Sequence, residues 1–231
     1  MHKIVDNVLV LKRIDYGEAD RILSVLSESG GKFSLLARGV RKPKSKLAGG
    51  IEPFCINNVT YMQSQNELKR LVSANALLQL SNITKNLETL ETGYKILRTI
   101  HAYTEHECEN SYYTITSDAL VQMHNGANKD IVYVWFMMQL LKLSGHGINT
   151  DYAADGAKLL ASDNFEFDLP SMAFEPQASG HYSASHIKVL RIASALTVKS
   201  FSMVQETQHY ASDLVALLSD IASLHTQKNL K

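Results

Sequence analysis

The sequence predicts an α+β fold in which a small N-terminal β-barrel is followed by an all-helical domain. Five short apolar runs separated by turn residues lie within the first 80 residues, and from about residue 82 the apolar spacing becomes helical. Charge divides at the same place: the first 80 residues carry 12 Lys/Arg and 7 Asp/Glu, and the remainder carry 11 and 16. We therefore expect two domains with different partners, residues 1–80 and 81–231.

The predicted barrel strands are short and rich in β-branched and large apolar residues. They are Val8–Ile14, Arg21–Leu26, Phe33–Ala37, Phe54–Met62 and Leu68–Ser73. Gly30-Gly31 lies between the second and third strands, where glycine tolerates the positive φ angle of a tight hairpin turn. Five short strands at this spacing are typical of an OB-fold barrel, which often binds nucleic acid.

A basic segment, residues 38–46, follows the predicted hairpin. It contains five positive charges in nine residues, although the whole chain is neutral. Gly39 and Pro43 favour a flexible loop over a helix face. Such a loop suits a polyanion, of which nucleic acid is the first candidate, but a solvated loop that binds nothing has the same composition. The candidate phosphate-binding residues are Arg38, Arg41, Lys42, Lys44 and Lys46, followed by Arg21 and Lys32.

Two of these motifs also allow structural interpretations. Arg21 adjoins Asp20 in the sequence and could form an ion pair with it instead of contacting phosphate. Gly39 and Gly49 are expected to serve backbone geometry rather than ligand contact, because glycine reaches conformations closed to other residues.

Beyond residue 82 the apolar residues recur at helical spacing. Helices are predicted for 87–100, from the Asn128 cap to Ser144, for Ser185–Met203 and for Glu206–Leu224. The second of these is apolar nearly all round, which is typical of the central helix of a bundle, so its Met and aromatic residues are interpreted as core. The insert of residues 147–183 is expected to be mostly irregular.

Motifs for catalysis or metal binding are missing from the sequence. It has no P-loop, no dinucleotide-binding glycine pattern and no nucleophile-elbow motif, so an enzyme is not expected. His101, Glu105 and Cys108 would share one helix face, but their spacing matches no zinc motif, and a solvated helix end is the preferred interpretation. The two cysteines, Cys55 and Cys108, form no C-x-x-C pair, so neither a disulfide scaffold nor a thiolate zinc finger is expected. With no motif for either, no cofactor and no bound metal are expected.

No membrane segment is predicted. The longest apolar run, Ile131–Met138, is much shorter than the roughly 20 residues that span a bilayer. The first residues contain no apolar core of the kind found in signal peptides. We therefore expect a cytoplasmic protein without a membrane partner.

Motifs in the first 60 residues resemble those of the RecO family of bacterial DNA-repair proteins. They are Tyr16-Gly-Glu18-Ala-Asp20-Arg21, the Gly31-Lys32 hairpin, Arg38-Gly39-Val-Arg41-Lys-Pro-Lys-Ser45, and Pro53-Phe54. The apolar helix that ends in Leu-Ser-Gly-His at residues 143–146, with two C-terminal helices, matches more loosely. On these motifs the chain is identified as a member of the family.

The resemblance implies a recombination mediator with an N-terminal OB-fold and a helical domain. Members bind single- and double-stranded DNA, anneal complementary strands and, with RecR, help RecA to displace single-strand DNA-binding protein from gapped DNA. They also contact the acidic C-terminal tail of that protein. A tail site needs an apolar pocket with cations at its rim. Lys95 with Arg98, or Lys188 with Arg191, places two cations on one helical face, although either pair could be solvated surface.

The resemblance also implies a departure from the family pattern. Many members carry a zinc site built from two cysteine pairs after the central helix. Tyr152-Ala-Ala-Asp155-Gly156 stands where the first pair would fall, and no cysteine follows before Ser183. The insert is therefore expected to be a degenerate, zinc-less version in which Phe165, Phe167 and Phe174 pack together instead.

Two other functions remain open at this point. One is a protein-interaction scaffold that recruits repair partners without strong DNA binding of its own, which reversal of the loop charges would distinguish. The other is an RNA-binding OB-fold protein. Comparison of matched RNA and DNA would test it, because contacts to the 2′-hydroxyl separate the two nucleic acids.

Overall fold

The computed structural model describes residues 2–45, 47–63, 68–104, 108–160 and 164–228. It divides into two compact units, Met1–Asn125 and Gly126–Lys231. The first unit contains a barrel and two α-helices, and the second contains four α-helices and a small sheet. A domain boundary at residue 80, where the secondary structure changes, stays a prediction.

A closed five-stranded barrel forms the centre of the first unit. The strands are β1 Lys3–Tyr16, β2 Asp20–Ser27, β3 Lys32–Ala37, β4 Cys55–Met62 and β5 Leu68–Gln79. Their order around the barrel is β1-β2-β3-β5-β4, with β4 paired back to β1. β3 and β5 run parallel, whereas the other paired strands run antiparallel. The predicted α+β class with an N-terminal OB-fold barrel is confirmed, although β1 and β5 are longer than predicted.

Alternating burial along the strands fills the barrel. In β3 and β4 every second residue is buried, because successive side chains of a strand point to opposite faces. The interior is packed with aliphatic side chains, among them Val8, Val10, Leu23, Val25, Leu35, Val59 and Leu71. Removing this apolar surface from water is the main favourable contribution to folding of the barrel.

A β-bulge in β1 changes the direction of the side chains that follow it. The register between β1 and β2 shifts between Val10 and Lys12, which adds one residue to β1. Beyond the bulge, Asp15 pairs with Arg21 across the two strands. The bulge therefore brings a carboxylate and a guanidinium together at the end of the hairpin.

Two helices complete the first unit, and only one of them was predicted. α1 spans Leu87–Tyr103 and begins at Asn86, whose side chain accepts a hydrogen bond from the Thr89 N–H at 3.1 Å. α2 spans Asn110–His124 and was missed. Its two Thr, two Ser and two Tyr residues are modest helix formers, and packing of its buried residues stabilises it instead.

One glycine of the first unit lies too close to the backbone for any side chain. A Cβ atom on Gly50 would lie 2.4 Å from the carbonyl carbon of Ala74 in β5. Gly49, expected to serve backbone geometry, has open space at its Cβ position and no positive φ, so that expectation was wrong for it. Gly39 has φ +65° and does need glycine.

We predict that Gly50→Ala destabilises the barrel by about 1–3 kcal/mol, because the added methyl group overlaps β5. Gly49→Ala is the matched control and should change the free energy of unfolding by less than about 0.5 kcal/mol. The measurement is hydrogen exchange of β4 and β5 amides during urea unfolding. Equal effects of the two substitutions would contradict the close approach of Gly50 to Ala74.

The second unit is organised around one buried helix, α3, Lys129–Leu143. Residues 131–138 are all buried, so the prediction that the Met and aromatic residues form core is confirmed. The Asn128 side chain accepts hydrogen bonds from the backbone N–H groups of Asp130 and Ile131, as the cap prediction requires. The helices around α3 are α4 Ala184–Ala195, α5 Val198–Ser202 and α6 Thr207–Lys228.

The single helix predicted for Ser185–Met203 is two helices in the structure. The chain breaks at Leu196, and Thr197 caps α5 by accepting a hydrogen bond from the Ser200 N–H at 3.3 Å. Trp135 Nε1 of α3 donates to the Leu196 carbonyl at 2.9 Å, which satisfies an acceptor freed by the break. This long-range bond could not be inferred from helical periodicity.

The insert contains a three-stranded sheet in addition to irregular segments. Its strands are β6 Asn164–Asp168, β7 Ala173–Pro176 and β8 Tyr182–Ser183, in the order β7-β6-β8. Phe165 and Phe174 are buried, and the rings of Phe167 and Phe174 lie 5.0 Å apart edge to face. The predicted packing is confirmed for Phe167 with Phe174, and Phe165 is buried in the same sheet.

The residues of the insert do not fit a zinc site. Both cysteines belong to the first unit, and the described ranges hold no group of three or more His, Cys, Asp or Glu placed to bind a metal. Asp155, where the family pattern has a cysteine-pair residue, accepts a hydrogen bond from the Ala157 N–H at 2.8 Å. Glu175 accepts one from the Ala154 N–H at 2.8 Å. The carboxylates of Asp155 and Glu175 thus accept hydrogen bonds from the backbone of this turn.

None of the helices in the described ranges combines the length and apolar character needed to cross a bilayer.

Candidate nucleic-acid interface

Two segments that are distant in sequence form one basic surface at an end of the barrel. They are the β1–β2 turn, residues 15–21, and the loop of residues 38–45 that follows β3. We call these two segments the basic surface. Arg38, Arg41, Lys42 and Lys44 are exposed on it. Lys46, the fifth predicted loop cation, lies outside the described residues.

Three hydrogen bonds fix the beginning of the loop to the turn. The Gly39 N–H donates to Asp20 Oδ1 at 2.7 Å, and the Arg41 N–H donates to the Ala19 carbonyl at 2.9 Å. The Arg41 side chain also reaches the Gly17 carbonyl at 3.4 Å. Val40, between these contacts, is 4% exposed and packs in the barrel core. The loop that the sequence suggested to be flexible is therefore anchored over residues 39–41.

One carboxylate is shared by two arginines of the basic surface. Arg21 Nε lies 2.8 Å from Asp15 Oδ1, and Arg41 Nε lies 3.6 Å from Asp15 Oδ2. The hydrogen bond from Arg21, helped by the charge of Arg41, holds the pKa of Asp15 below its ordinary value. Arg21 thus forms an ion pair, but with Asp15 rather than with the adjacent Asp20.

The remaining cations of the loop are uncompensated. Within the described residues, no side-chain hydrogen bond or ion pair involves Arg38, Lys42 or Lys44. Over residues 15–21 and 38–45 there are five cations against the three carboxylates of Asp15, Glu18 and Asp20, a net charge of +2. The surface therefore carries net positive charge on side chains that are free to meet phosphate groups.

Lys32 occupies a different environment from the loop cations. Its Nζ donates to the His101 carbonyl at 2.7 Å and also to the Thr104 carbonyl, at the C-terminal end of α1. A cation in this position compensates the partial negative charge of a helix C-terminus. Lys32 thus binds carbonyl groups at the end of α1, unlike the exposed loop cations. A phosphate contact by Lys32 stays a prediction.

An exposed aromatic residue on the basic surface was missed by the sequence analysis. Tyr16 ends β1 with 54% of its area exposed, and Ile14 is 49% exposed. Exposed aromatic rings beside cations can stack with nucleic-acid bases. The strand predicted for Val8–Ile14 in fact continues to Tyr16, directly before Gly17. Extending the prediction to that glycine would have placed Tyr16 at the turn.

A pocket of about 390 Å³ lies in the second unit, between the insert and α4. We call it the insert pocket; its lining includes Leu159, Leu160, Phe165, Ile187, Lys188 and Arg191. Lys188 pairs with Glu206 at 3.1 Å, and Arg191 pairs with Asp151 at 3.2 Å. These ion pairs are exposed and therefore weak. Arg191 also donates two hydrogen bonds to the Thr150 carbonyl, from Nε at 2.9 Å and from Nη2, so it is held more firmly than Lys188.

OB-fold barrels with a basic surface are typical of proteins that act on nucleic acids. Comparison with protein families makes the assignment specific. The family described as "Recombination protein O N terminal" matches residues 1–79, and "Recombination protein O C terminal" matches residues 99–231. The chain belongs to the RecO family of DNA-repair proteins.

Individual relatives are similar over different lengths. The chain is 25% identical over 181 residues to DNA repair protein RecO of Dehalococcoides mccartyi, covering 78% of this chain and 68% of that protein. It is 24% identical over 222 residues to DNA repair protein RecO of Staphylococcus epidermidis, covering 91% of this chain and 86% of that protein. It is 27% identical over 138 residues to the Bacillus subtilis protein of the same name, covering 59% of this chain and 54% of that protein. The match thus spans little more than half of some relatives.

We predict that Lys32→Ala weakens the end of α1, because two carbonyl groups lose a charged donor, and hydrogen bonds to charged groups contribute about 1.5–3 kcal/mol. Hydrogen exchange of amides at residues 100–104 should accelerate. Lys44→Ala, which removes an exposed loop cation, is the control and should leave this exchange unchanged. Unaltered exchange in Lys32→Ala would contradict the capping role of Lys32.

Proposed function

We propose that the protein is a recombination mediator in DNA repair. It binds single- and double-stranded DNA through the basic surface and promotes annealing of complementary strands. With RecR it promotes RecA loading on gapped DNA coated by single-strand DNA-binding protein. The observation that carries the proposal is the group of uncompensated cations, Arg38, Lys42 and Lys44, on a loop whose base is fixed to the barrel.

The chemistry of the basic surface favours binding without sequence preference. Lysine and arginine side chains that neutralise phosphates release counterions, so affinity depends steeply on salt and little on base identity. Tyr16 offers a face for stacking, which every base can use. Lys42 and Lys44 lie beyond the anchored residues 39–41, so they can follow a phosphate backbone while the loop base stays in place.

A mediator role does not require catalytic chemistry, and the chain carries no sequence motif for it. We infer that the protein acts as a binding protein in the cytoplasm rather than as an enzyme. Charge and shape of the insert pocket support a partner site there. Its apolar lining and its cations, Lys188 and Arg191, suit the acidic C-terminal tail of single-strand DNA-binding protein.

We predict that Lys42→Glu with Lys44→Glu weakens binding of a labelled single-stranded oligonucleotide, measured by fluorescence anisotropy at several salt concentrations. The plot of log affinity against log salt has a negative slope, and loss of two phosphate contacts should make it shallower by about 1.4, since each contact contributes about 0.7. Repeating the titration with duplex DNA and with RNA of the same sequence tests the DNA preference.

The matched control is Lys158→Glu with Lys199→Glu, which makes the same charge change on exposed lysines of the second unit. It should leave the salt slope unchanged. Equal losses in both variants would show that only overall charge matters. A folded wild-type protein that fails to bind at low salt would contradict the mediator proposal and favour the scaffold that recruits repair partners.

A further inference from the structure

A second concentration of positive charge lies in the first unit, away from the loop of residues 38–45. A pocket of about 440 Å³ is formed where β1 faces α1. We call it the basic pocket; its lining includes Leu11, Lys12, Arg13, Tyr94, Arg98 and His101. Its volume lies within the range of about 300–1,000 Å³ found for small-ligand pockets. Among the described residues, the lining contains three cationic side chains, one histidine and no acidic side chain.

The cations of the basic pocket are only partly compensated. Arg13 pairs with Glu52 at 2.5 Å. Neither Lys12 nor Arg98 has an ion pair or side-chain hydrogen bond within the described ranges, and both are exposed at the pocket rim. Two uncompensated cations in one pocket repel each other, and an anion bound in the pocket relieves that repulsion.

The aromatic ring of Tyr94 lines the same pocket as these cations. Tyr94 and Arg98 are one helical turn apart on α1, so they lie on the same face. The Tyr94 ring is held edge to face against Phe54, with centroids 4.9 Å apart, and Tyr94 is 38% exposed. A fixed, partly exposed ring beside a guanidinium provides a stacking surface for a base and a partner for its phosphate.

We propose that the basic pocket binds one nucleotide of a second nucleic-acid strand, with its base against Tyr94 and its phosphate between Lys12 and Arg98. The proposal rests on the proposed function, because it takes the basic surface as the site of the first strand. β1 connects the two sites: Lys12 precedes Tyr16 by four residues, or roughly 13 Å along a strand. Two binding sites on β1 would hold two DNA strands side by side for base pairing.

A nucleotide fits the basic pocket better than an acidic peptide does. A peptide with several carboxylates needs cations spread along a groove, whereas here Lys12 and Arg98 line one small pocket and Glu52 stands beside Arg13. A single phosphate with an attached planar base matches both the cations and the aromatic ring of this pocket. The acidic peptide is therefore the competing occupant that the experiment must exclude.

The test compares Lys12→Gln/Arg98→Gln with Lys42→Gln/Lys44→Gln, since both variants remove two exposed lysine or arginine charges. Annealing of complementary strands is followed by energy transfer, and photocross-linking of an oligonucleotide carrying 5-iodouracil is mapped by mass spectrometry. In wild type we expect cross-links at Tyr94 when a second strand is present. The pocket variant should lose these cross-links and anneal at least about tenfold more slowly, with a smaller loss of single-strand affinity.

The outcomes separate failure of the pocket from failure of the proposed function. The loop variant should lose single-strand affinity itself. Unchanged annealing and unchanged Tyr94 cross-links in the pocket variant would overturn the pocket proposal while leaving DNA binding by the loop intact. Displacement of the cross-links by an acidic peptide, with peptide binding lost in the pocket variant, would assign the pocket to a peptide. Absence of DNA binding in wild type would overturn both.

The pH dependence of annealing gives a second readout. Burial, with the charges of Lys32 and Lys12, holds the pKa of His101 below its ordinary value. Arg13 and Arg98 also line this pocket, and Glu52 is the acid paired there. A bound phosphate would raise the pKa of His101, so annealing should strengthen as pH falls through the pKa of the bound state. His101→Gln should flatten this profile, whereas an unaltered profile would contradict phosphate binding beside His101.

Discussion

The hydrogen bond from the Gly39 N–H to the Asp20 carboxylate is the interaction on which the proposed interface depends. It joins the turn after β1 to the loop after β3, and the neighbouring bond from the Arg41 N–H to the Ala19 carbonyl reinforces it. An acidic side chain in a basic site weakens anion binding by its own charge. Here its benefit is positional, because it holds the cationic loop on the barrel before DNA arrives, which lowers the entropy lost on binding.

This arrangement brings together the two sequence motifs that carry the family resemblance. Tyr16-Gly-Glu18-Ala-Asp20-Arg21 supplies the turn and its carboxylates, and Arg38-Gly39-Val-Arg41 supplies the groups that bind to them. Gly39 adopts φ +65°, which allows its N–H to reach Asp20, and buried Val40 fixes the chain between the two contacts. The motifs thus describe one folded substructure, next to which Lys42 and Lys44 are exposed.

Sequence periodicity predicted the features that depend on local patterns. The five strands, the Asn128 cap and the buried helix α3 follow from apolar spacing and turn chemistry. α2 was missed because its polar, β-branched composition hides a buried face that only packing reveals. Three other features depend on residues distant in sequence: the division of the helix at Leu196, the carbonyl partners of Lys32, and the placement of Lys12 and Arg98 in one pocket. Composition located the basic loop but could not show what anchors it.

The most direct test of this loop anchor compares Asp20→Ala with Glu18→Ala in single-stranded DNA binding at fixed salt. Both substitutions remove one negative charge from the same turn, but only Asp20 accepts the bond from Gly39. If the bond positions the loop, Asp20→Ala should bind DNA roughly tenfold more weakly, a change of about 1.4 kcal/mol, despite the gain in positive charge. Glu18→Ala should bind equally well or more tightly. Tighter binding by both variants would contradict the anchored loop and leave net charge alone as the determinant of affinity.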